Sequence, residues 1–323
     1  MSIRKTCSGL QTEVIVVDGG SFDACKQMLA TEFPEALFVQ AHDNIGFGRS
    51  NNLGFAEVTG DAVLLLNPDT ELYESALQTL LDQLLALPSV GIVGPRLLNC
   101  DGSIQSGSIH VLPTPLTEAF SSEFMRRWMP KSRLGANAAL LNVGAPVEVE
   151  AIAGACIMLP TEVFRKVGGF TERYFMYAED MDLCLKVRNL GLRIYHVPSA
   201  RVLHHGGGSS RLQFSKFSVV MMREAVYTYM VINHGMFKAL QYRIAMLISA
   251  AVRLGLLSFG WSVTRGEKRA SRVTSLRKWQ LVLNWSLGKE SWVKKYWIAG
   301  SHDTSATNHT SDSGSNDAIS RVR

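Results

Sequence analysis

Glu179, Asp180 and Asp182 put three carboxylates into four positions, inside the stretch Tyr174-Phe-Met-Tyr-Ala-Glu-Asp-Met-Asp-Leu183. Like charges this close repel one another, so such a cluster suits a place where a proton is taken or a hydroxyl is held. On a helix starting near Ala178, Glu179 and Asp182 share one face, and Asp180 points roughly 100° away from Glu179. Carboxylates in a first helical turn also face the positive end of the helix dipole, which favours their ionised forms. The same residues would equally start an amphipathic helix with Leu183, Leu185 and Val187 partly buried. The surroundings must decide between chemistry and capping.

Several other segments carry polar groups at the ends of apolar runs. Asn67-Pro68-Asp69 follows Ala62–Leu66. Asp69 can ligate a hard cation such as Mg²⁺ or Mn²⁺, whereas Asn67 offers only a neutral carbonyl; a plain Asn-Pro-Asp turn is the alternative. Asp18 closes the run Val14–Val17 and suits ribose hydroxyls or a pyrimidine ring, or else caps the helix after Gly20. In Asn44–Gly54, Asn44, Gly46, Arg49 and Asn52 form a candidate phosphate-binding loop: the glycine permits close backbone approach and the Arg49 fork matches a diphosphate oxygen. The alternative is a turn into an ordinary helix. His204 and His205 end a short apolar run before three glycines, where either could complete a metal shell or meet a departing diphosphate.

These groups need a scaffold. Val14–Val17, Ala36–Gln40 and Ala62–Leu66 read as strands, the first buried on both faces, and 21–31 and 49–58 as helices between them. That alternation argues for a doubly wound α/β domain, in which ligands bind beyond the carboxyl ends of the strands. Asp18, Asn44 and Asn67–Asp69 all fall there. No Gly-x-Gly-x-x-Gly follows the first strand and no Gly-Lys-Ser/Thr occurs, which disfavours dinucleotide and nucleoside triphosphate sites.

Taken together, Ala153-Gly-Ala-Cys-Ile-Met-Leu-Pro160, Val167-Gly-Gly-Phe170, the Glu-Asp-x-Asp helix and Val197-Pro-Ser-Ala-Arg-Val-Leu-His204 resemble the family 2 glycosyltransferases, in particular their bacterial rhamnosyltransferase-like branch. The resemblance runs from about Ile3 to Ser210. It implies a GT-A-like mixed sheet and an inverting, metal-dependent transfer of a sugar from a nucleotide diphosphate, with dTDP-rhamnose as the expected donor. It implies Asp180 as base, Glu179 and Asp182 as acceptor-positioning groups, and Asp18, Asn44, Gly46, Arg49, Asn52 and Asn67 as donor-binding groups. Asp69 and His204 are implied as ligands of Mg²⁺ or Mn²⁺. Gly19, Gly20 and Phe22 depart from the family's usual loop, and Asn67 stands where an aspartate is usual.

The family also begins with a strand and a helix, of which Met1–Gln11 resembles only the end. The expectation is therefore of two unpaired interior sheet edges, in a chain that starts too late or, alternatively, is a damaged version, so that the functional reading describes the complete protein. Sugar-phosphate nucleotidyltransfer shares the general architecture but leaves the acidic helix unexplained. A transferase-derived membrane scaffold is the non-enzymatic alternative.

The 323 residues carry a net charge of +5 and 46% hydrophobic content, enough for a catalytic domain over 1–212 and a smaller region over 213–300. The five scattered cysteines lack metal-type spacing and suit a cytoplasmic protein. Within 237–261, Lys238, Arg243 and Arg253 interrupt an apolar run, which favours an interfacial amphipathic helix over a spanning one. Basic residues and tryptophans follow, including Trp279, Trp285, Trp292 and Trp297, as at the headgroups of an anionic bilayer; no nucleic-acid motif is present. The expected partners are a nucleotide sugar, a polyprenyl-linked or glycan acceptor and the inner membrane's cytoplasmic face, as in O-antigen assembly. Residues 103–147 lack periodicity and read as an acceptor-facing loop with short helices; 301–323 read as a disordered tail.

Overall fold

The computed structural model describes residues 3, 9–206, 215–259 and 267–298, with backbone alone at 267–270 and 297–298. The expectations for 207–210 and for the tail lie outside the described residues.

Strands β1 (Ile15–Asp18) and β2 (Leu37–Gln40) pair in parallel, flanked by helices α1 (Cys25–Glu32) and α2 (Phe47–Phe55). They form a sheet of their own. The main sheet has six strands, ordered β3 (Ala62–Leu66), β9 (Cys156–Pro160), β5 (Val90–Leu98), β10 (Arg193–His204) and β4 (Thr70–Leu72), with β7 (Val147–Val149) also on β10. Among the described residues, one edge of β1 and one edge of β3 have no partner strand. Ile15–Val17 are accordingly only half-buried, not buried on both faces as their apolar run suggests.

β9 runs antiparallel to both β3 and β5, and β10 runs parallel to β5. Strands β3, β5 and β10 therefore point the same way. Their carboxyl ends deliver Asn67–Asp69, the Asn99–Gln105 turn and His204 to one rim. The pairing of β10 with β5 shifts between Val197 and Arg201, where Pro198 cannot donate to the ladder. Helix α3 (Ala76–Ala86) covers this sheet with Leu77, Leu80 and Leu84, whose spacing makes one apolar stripe.

Between β5 and β9 lie β6 (Ile109–His110), α4 (Pro115–Phe120), α5 (Glu123–Trp128) and β8 (Ala151–Ile152). Thr114 and Thr117 cap α4 reciprocally, with Pro115 at its first position. The short helix α6 (Thr161–Lys166) follows β9, and the acidic residues begin α7 (Glu179–Asn189).

The C-terminal region is helical: α8 (Lys216–Phe259), α9 (Glu267–Ser286) and the short α10 (Lys295–Ile298). Gly235, at φ 82°, kinks α8 into two arms. The first arm shares a core with the segment leading into α7, where Tyr174 and Ala178 pack with Val220, Tyr229 and Met230. Along the second arm Phe237, Leu240, Ile244, Ile248, Val252, Leu256 and Phe259 are exposed at three- and four-residue spacing. By length and composition α8 is the one described helix apolar enough to cross a membrane. The interrupting arginines turn inward. Arg243 donates to the carbonyls of Trp285 and Ser286, and Arg253 to those of Ala119 and Ser121 while stacking 4.2 Å over Trp279.

Candidate active site

Helix α7 realises the geometry expected of its spacing. Glu179 and Asp182 are buried on one face with Leu183 and Val187, and Asp180 is only half-buried. No side chain caps its start; instead Tyr177 and Ala178 stand at φ 71° and 63°, consecutive left-handed positions unusual for residues with a Cβ. Such strain persists where packing over-determines it, and Ala178 is 2% exposed.

Asp180 accepts from the backbone N–H of Gly154 at 2.9 Å and from that of Met181 at 2.8 Å. Ala155, the next residue, accepts from the N–H of Asn67 at 3.0 Å. The Gly154–Ala155 turn thus joins the acidic helix to the Asn67–Asp69 corner. Sequence reading singled out neither as a site residue, because a backbone N–H is invisible in a side-chain pattern.

Asp182 faces the interior. At 1% exposure it accepts from Thr171 Oγ1 at 2.6 Å, Asn233 Nδ2 at 2.8 Å and Tyr174 Oη at 3.2 Å, with Lys186 Nζ 3.8 Å away. It can bear on an acceptor only through the turn and the α8 arm that it ties together. Glu179 is 5% exposed and its Oε2 has no hydrogen-bond partner. Burial first, then the charge of Asp180, pushes its carboxyl up to about 8. The upward push that a crowded carboxylate cluster implies thus acts on Glu179, keeping it neutral and leaving Asp180 free of a charged neighbour on that side.

The second cluster lies at the β3–β10 rim. His204 Nε2 is 3.3 Å from Asp69 Oδ1. Gln105, outside every sequence-level motif, holds the other side of the ring: its Nε2 donates to the His204 carbonyl at 3.0 Å, which fixes the amide so that Oε1 sits 2.9 Å from His204 Nδ1 as acceptor. Nδ1 is thus the ring nitrogen turned to Gln105, and Nε2 is the one presented to Asp69. His205 is engaged elsewhere, with Nε2 2.7 Å from Glu71 Oε1 and Nδ1 3.4 Å from Cys100 Sγ. The hydrogen bond to Glu71 leads the upward shift of its imidazole. Of the two histidines, His204 is the one whose ring faces Asp69.

Among the described residues no three His, Cys, Asp or Glu side chains cluster as a metal cage. Mg²⁺ and Mn²⁺ do not require one, since substrate phosphates and water fill most of their positions. The carboxylate–imidazole pair suits such an ion. The nearby Asn67 Oδ1, buried without a hydrogen-bond partner, is a further oxygen left uncommitted.

The donor-side residues separate into two groups. Asp18 is surrounded by five donors: the N–H groups of Gly20, Ser21 and Phe22, the Ser21 hydroxyl and Gln40 Nε2. The backbone of Ser21 leads these in holding the carboxyl far below the usual range. It organises the turn before α1 rather than capping the helix itself. Asn44 Oδ1 accepts from Gly46 N, and Gly46 at φ 82° lies so close to Phe175 that a Cβ would fall 2.1 Å from its carbonyl oxygen. Only glycine fits there.

Arg49 and Asn52 are committed to the protein. The fork expected at a diphosphate closes with Nε and Nη2 on the Glu172 carbonyl, at 2.9 and 2.7 Å. Asn52 clamps both backbone groups of Phe170. Both residues brace the Gly-Gly-Phe turn that leads to α7.

The profile of glycosyl transferase family 2 matches residues 2–139, and that of the N-terminal domain of galactosyltransferase matches 136–224. N-acetylglucosaminyl-diphospho-decaprenol L-rhamnosyltransferase of Mycobacterium tuberculosis is 30% identical over 224 residues, 61% of this chain and 67% of the relative. Rhamnosyltransferase WbbL of Escherichia coli K12 is 29% identical over 184 residues, 53% of this chain and 65% of that protein. Among solved structures, the mannosyltransferase PcManGT from Pyrobaculum calidifontis, in complex with GDP-Man and Mn²⁺, superposes with a TM-score of 0.51 at 16% identity, over 92% of this chain and 81% of its own. That likeness places the sheet in the GT-A fold. With the two profiles together matching 2–224 and these relatives alongside, the chain belongs to glycosyl transferase family 2, as a rhamnosyltransferase-like glycosyltransferase of glycan biosynthesis.

Proposed function

We propose that the protein transfers rhamnose from dTDP-rhamnose, with inversion, to a hydroxyl of a polyprenyl-linked acceptor at the cytoplasmic face of the inner membrane. The observation that carries this reading is the Gly154–Ala155 turn, which sets a half-exposed carboxylate, Asp180, beside the corner bearing Asp69 and His204. An acceptor hydroxyl is a weak nucleophile at neutral pH, and Asp180 takes its proton as the new bond forms. The Gly154 N–H fixes the direction of that carboxylate, and neutral Glu179 and buried Asp182 hold the helix behind it. Asp18, Asn44 and Gly46 line the nucleotide side, and Asn67 adjoins the diphosphate. Arg49 and Asn52 act through the turn they brace.

Asp69 and His204 are the residues that would hold Mg²⁺ or Mn²⁺, which supplies positive charge to the departing diphosphate. The relatives' names, one of which includes a diphospho-decaprenol acceptor, support the donor sugar and the lipid carrier. The Mn²⁺ in the mannosyltransferase complex supports the cation. The exposed apolar stripe of α8 supports attachment to the bilayer surface, with Arg243 and Arg253 binding the helix to the protein.

The test is transfer of labelled rhamnose from dTDP-rhamnose, against UDP- and GDP-sugars, to N-acetylglucosaminyl-diphospho-polyprenol with Mn²⁺. Asp180→Asn is expected to lower turnover by about 10²- to 10⁴-fold, with donor binding retained. Undiminished turnover in that variant would remove the proposed base. A folded protein that transfers no sugar from any donor would remove the reading itself.

A further inference from the structure

Ile104 and Ser106, on either side of Gln105, line a cleft of about 360 Å³. Arg126 and Arg127 of α5 line it too, with Leu141 and Asn142. Arg126 Nη1 donates to the Ser106 carbonyl at 2.7 Å, tying α5 to the segment that supports His204. The cleft thus adjoins the segment that carries Gln105, whose own side chain reaches His204. Glu123 also lines it, and two arginines against one carboxylate leave it net positive.

Helix α5 also exposes two aromatic rings beside its charged residues. Phe124 and Trp128 stack with ring centroids 5.4 Å apart, and both are largely exposed at 59% and 72%. Leu116 and Phe120 of α4 are exposed too, and α4 lies along the second arm of α8, joined by Ser249 and Arg253 to Ala119. A cationic cleft therefore borders a rim of bare rings, which continues toward the apolar stripe of α8. Rings and aliphatic side chains of this size are ordinarily covered, and a patch bounded by cations fits an amphiphile with an anionic head and a long hydrocarbon tail.

We infer that this cleft seats the diphosphate of the lipid-linked acceptor, with Arg126 and Arg127 on its oxygens and the first isoprene units over Phe124 and Trp128. Planar guanidinium forks match phosphate oxygens, and the apolar rim selects a lipid-borne diphosphate over a free one. The inference rests on the polyprenyl-linked acceptor proposed above and names the residues that recognise it. It also gives an order to the site: tail on the bilayer, diphosphate in the cleft, sugar hydroxyl toward Asp180.

The full chain in detergent micelles is titrated calorimetrically with geranylgeranyl diphosphate, geranylgeraniol and inorganic diphosphate, separately. The expected result is binding of the lipid diphosphate at least about tenfold tighter than either fragment, and a loss of about tenfold or more in Arg126→Ala/Arg127→Ala. In the transfer assay Arg127→Ala alone should raise the acceptor KM. Inorganic diphosphate binding as tightly as the lipid, or an unchanged titration in the variant, overturns the inference. Arg127→Glu, at an exposed position, decides the matter if the double variant does not fold. Because the titration needs no turnover, lipid binding without rhamnose transfer would sink the proposed reaction and leave the cleft assignment standing.

Discussion

At the α7 end of the crevice the carboxylates are closed in by the protein: Asp182 is 1% exposed with hydroxyl, phenol and amide donors on it, and Asp180 is aimed by two backbone N–H groups. At the β3–β10 end Asp69 and His204 face each other at 3.3 Å with side chains 30% and 17% exposed, and Gln105 pins the far side of the imidazole. One end is closed by the protein. The other is more open to solvent. A proton acceptor gains from a direction fixed in advance, whereas a phosphate-bearing ligand brings its own oxygens to complete the second end.

The largest expected effect breaks the closed end. Asp182→Ala strips the partner from Thr171, Tyr174, Asn233 and Lys186 together and should destabilise the fold by about 3–5 kcal/mol, measured by urea unfolding. A loss below about 1 kcal/mol would mean that this end is held by packing alone.

A smaller effect tests the open end. Gln105→Leu should weaken Mn²⁺ binding by about 10- to 100-fold, read by electron paramagnetic resonance of the free ion, with the melting temperature little changed. Gln105→Glu, which still accepts from Nδ1, should restore most of that affinity. Equal affinity in all three proteins would show that the imidazole needs no support.

The smallest effect is pH-dependent and sharpens the contrast. Glu179 titrates near its usual 4.5 when unfolded and at about 8 when folded. Below the lower value both states are protonated and Glu179→Gln changes nothing. As pH rises from there to about 8, the unfolded chain ionises Glu179 while the folded one does not, so the native protein loses stability. The glutamine variant escapes that loss. Its melting temperature should exceed the wild type's by roughly a few degrees at neutral pH and match it at low pH, measured by scanning calorimetry.

Much of this contrast was legible in the chain. The spacing of Glu179, Asp180 and Asp182 already separated one outward carboxylate from two on another face, and the run Ala62–Leu66 ended where β3 ends. What spacing could not convey was tertiary. Periodicity carries no strand direction, so the antiparallel β9 inside the sheet was hidden. Gln105 sits in a turn of glycines and serines without any pattern to mark it, and Gly154 acts through its backbone. Arg243 and Arg253 read in the chain as interruptions of an apolar run; here backbone carbonyls and tryptophan faces receive them, and the apolar side chains are the exposed ones.

The separate β1–β2 sheet leaves the molecule unevenly cooperative. Its links to the body are modest: Gly54 of α2 lies against Val17, and Glu13 accepts from Thr59 and Gly60. Pairs of short strands with half-buried side chains open at low free energy, whereas β5 and β10, with a buried apolar run between them, open only with the whole fold. Amide hydrogens of 15–18 and 37–40 should therefore exchange long before those of β5. A nucleotide bridging Asp18 and Asp69 would stitch the fast unit to the slow one, so donor occupancy would register as slowed exchange in β1 and β2, remote from the bond being made.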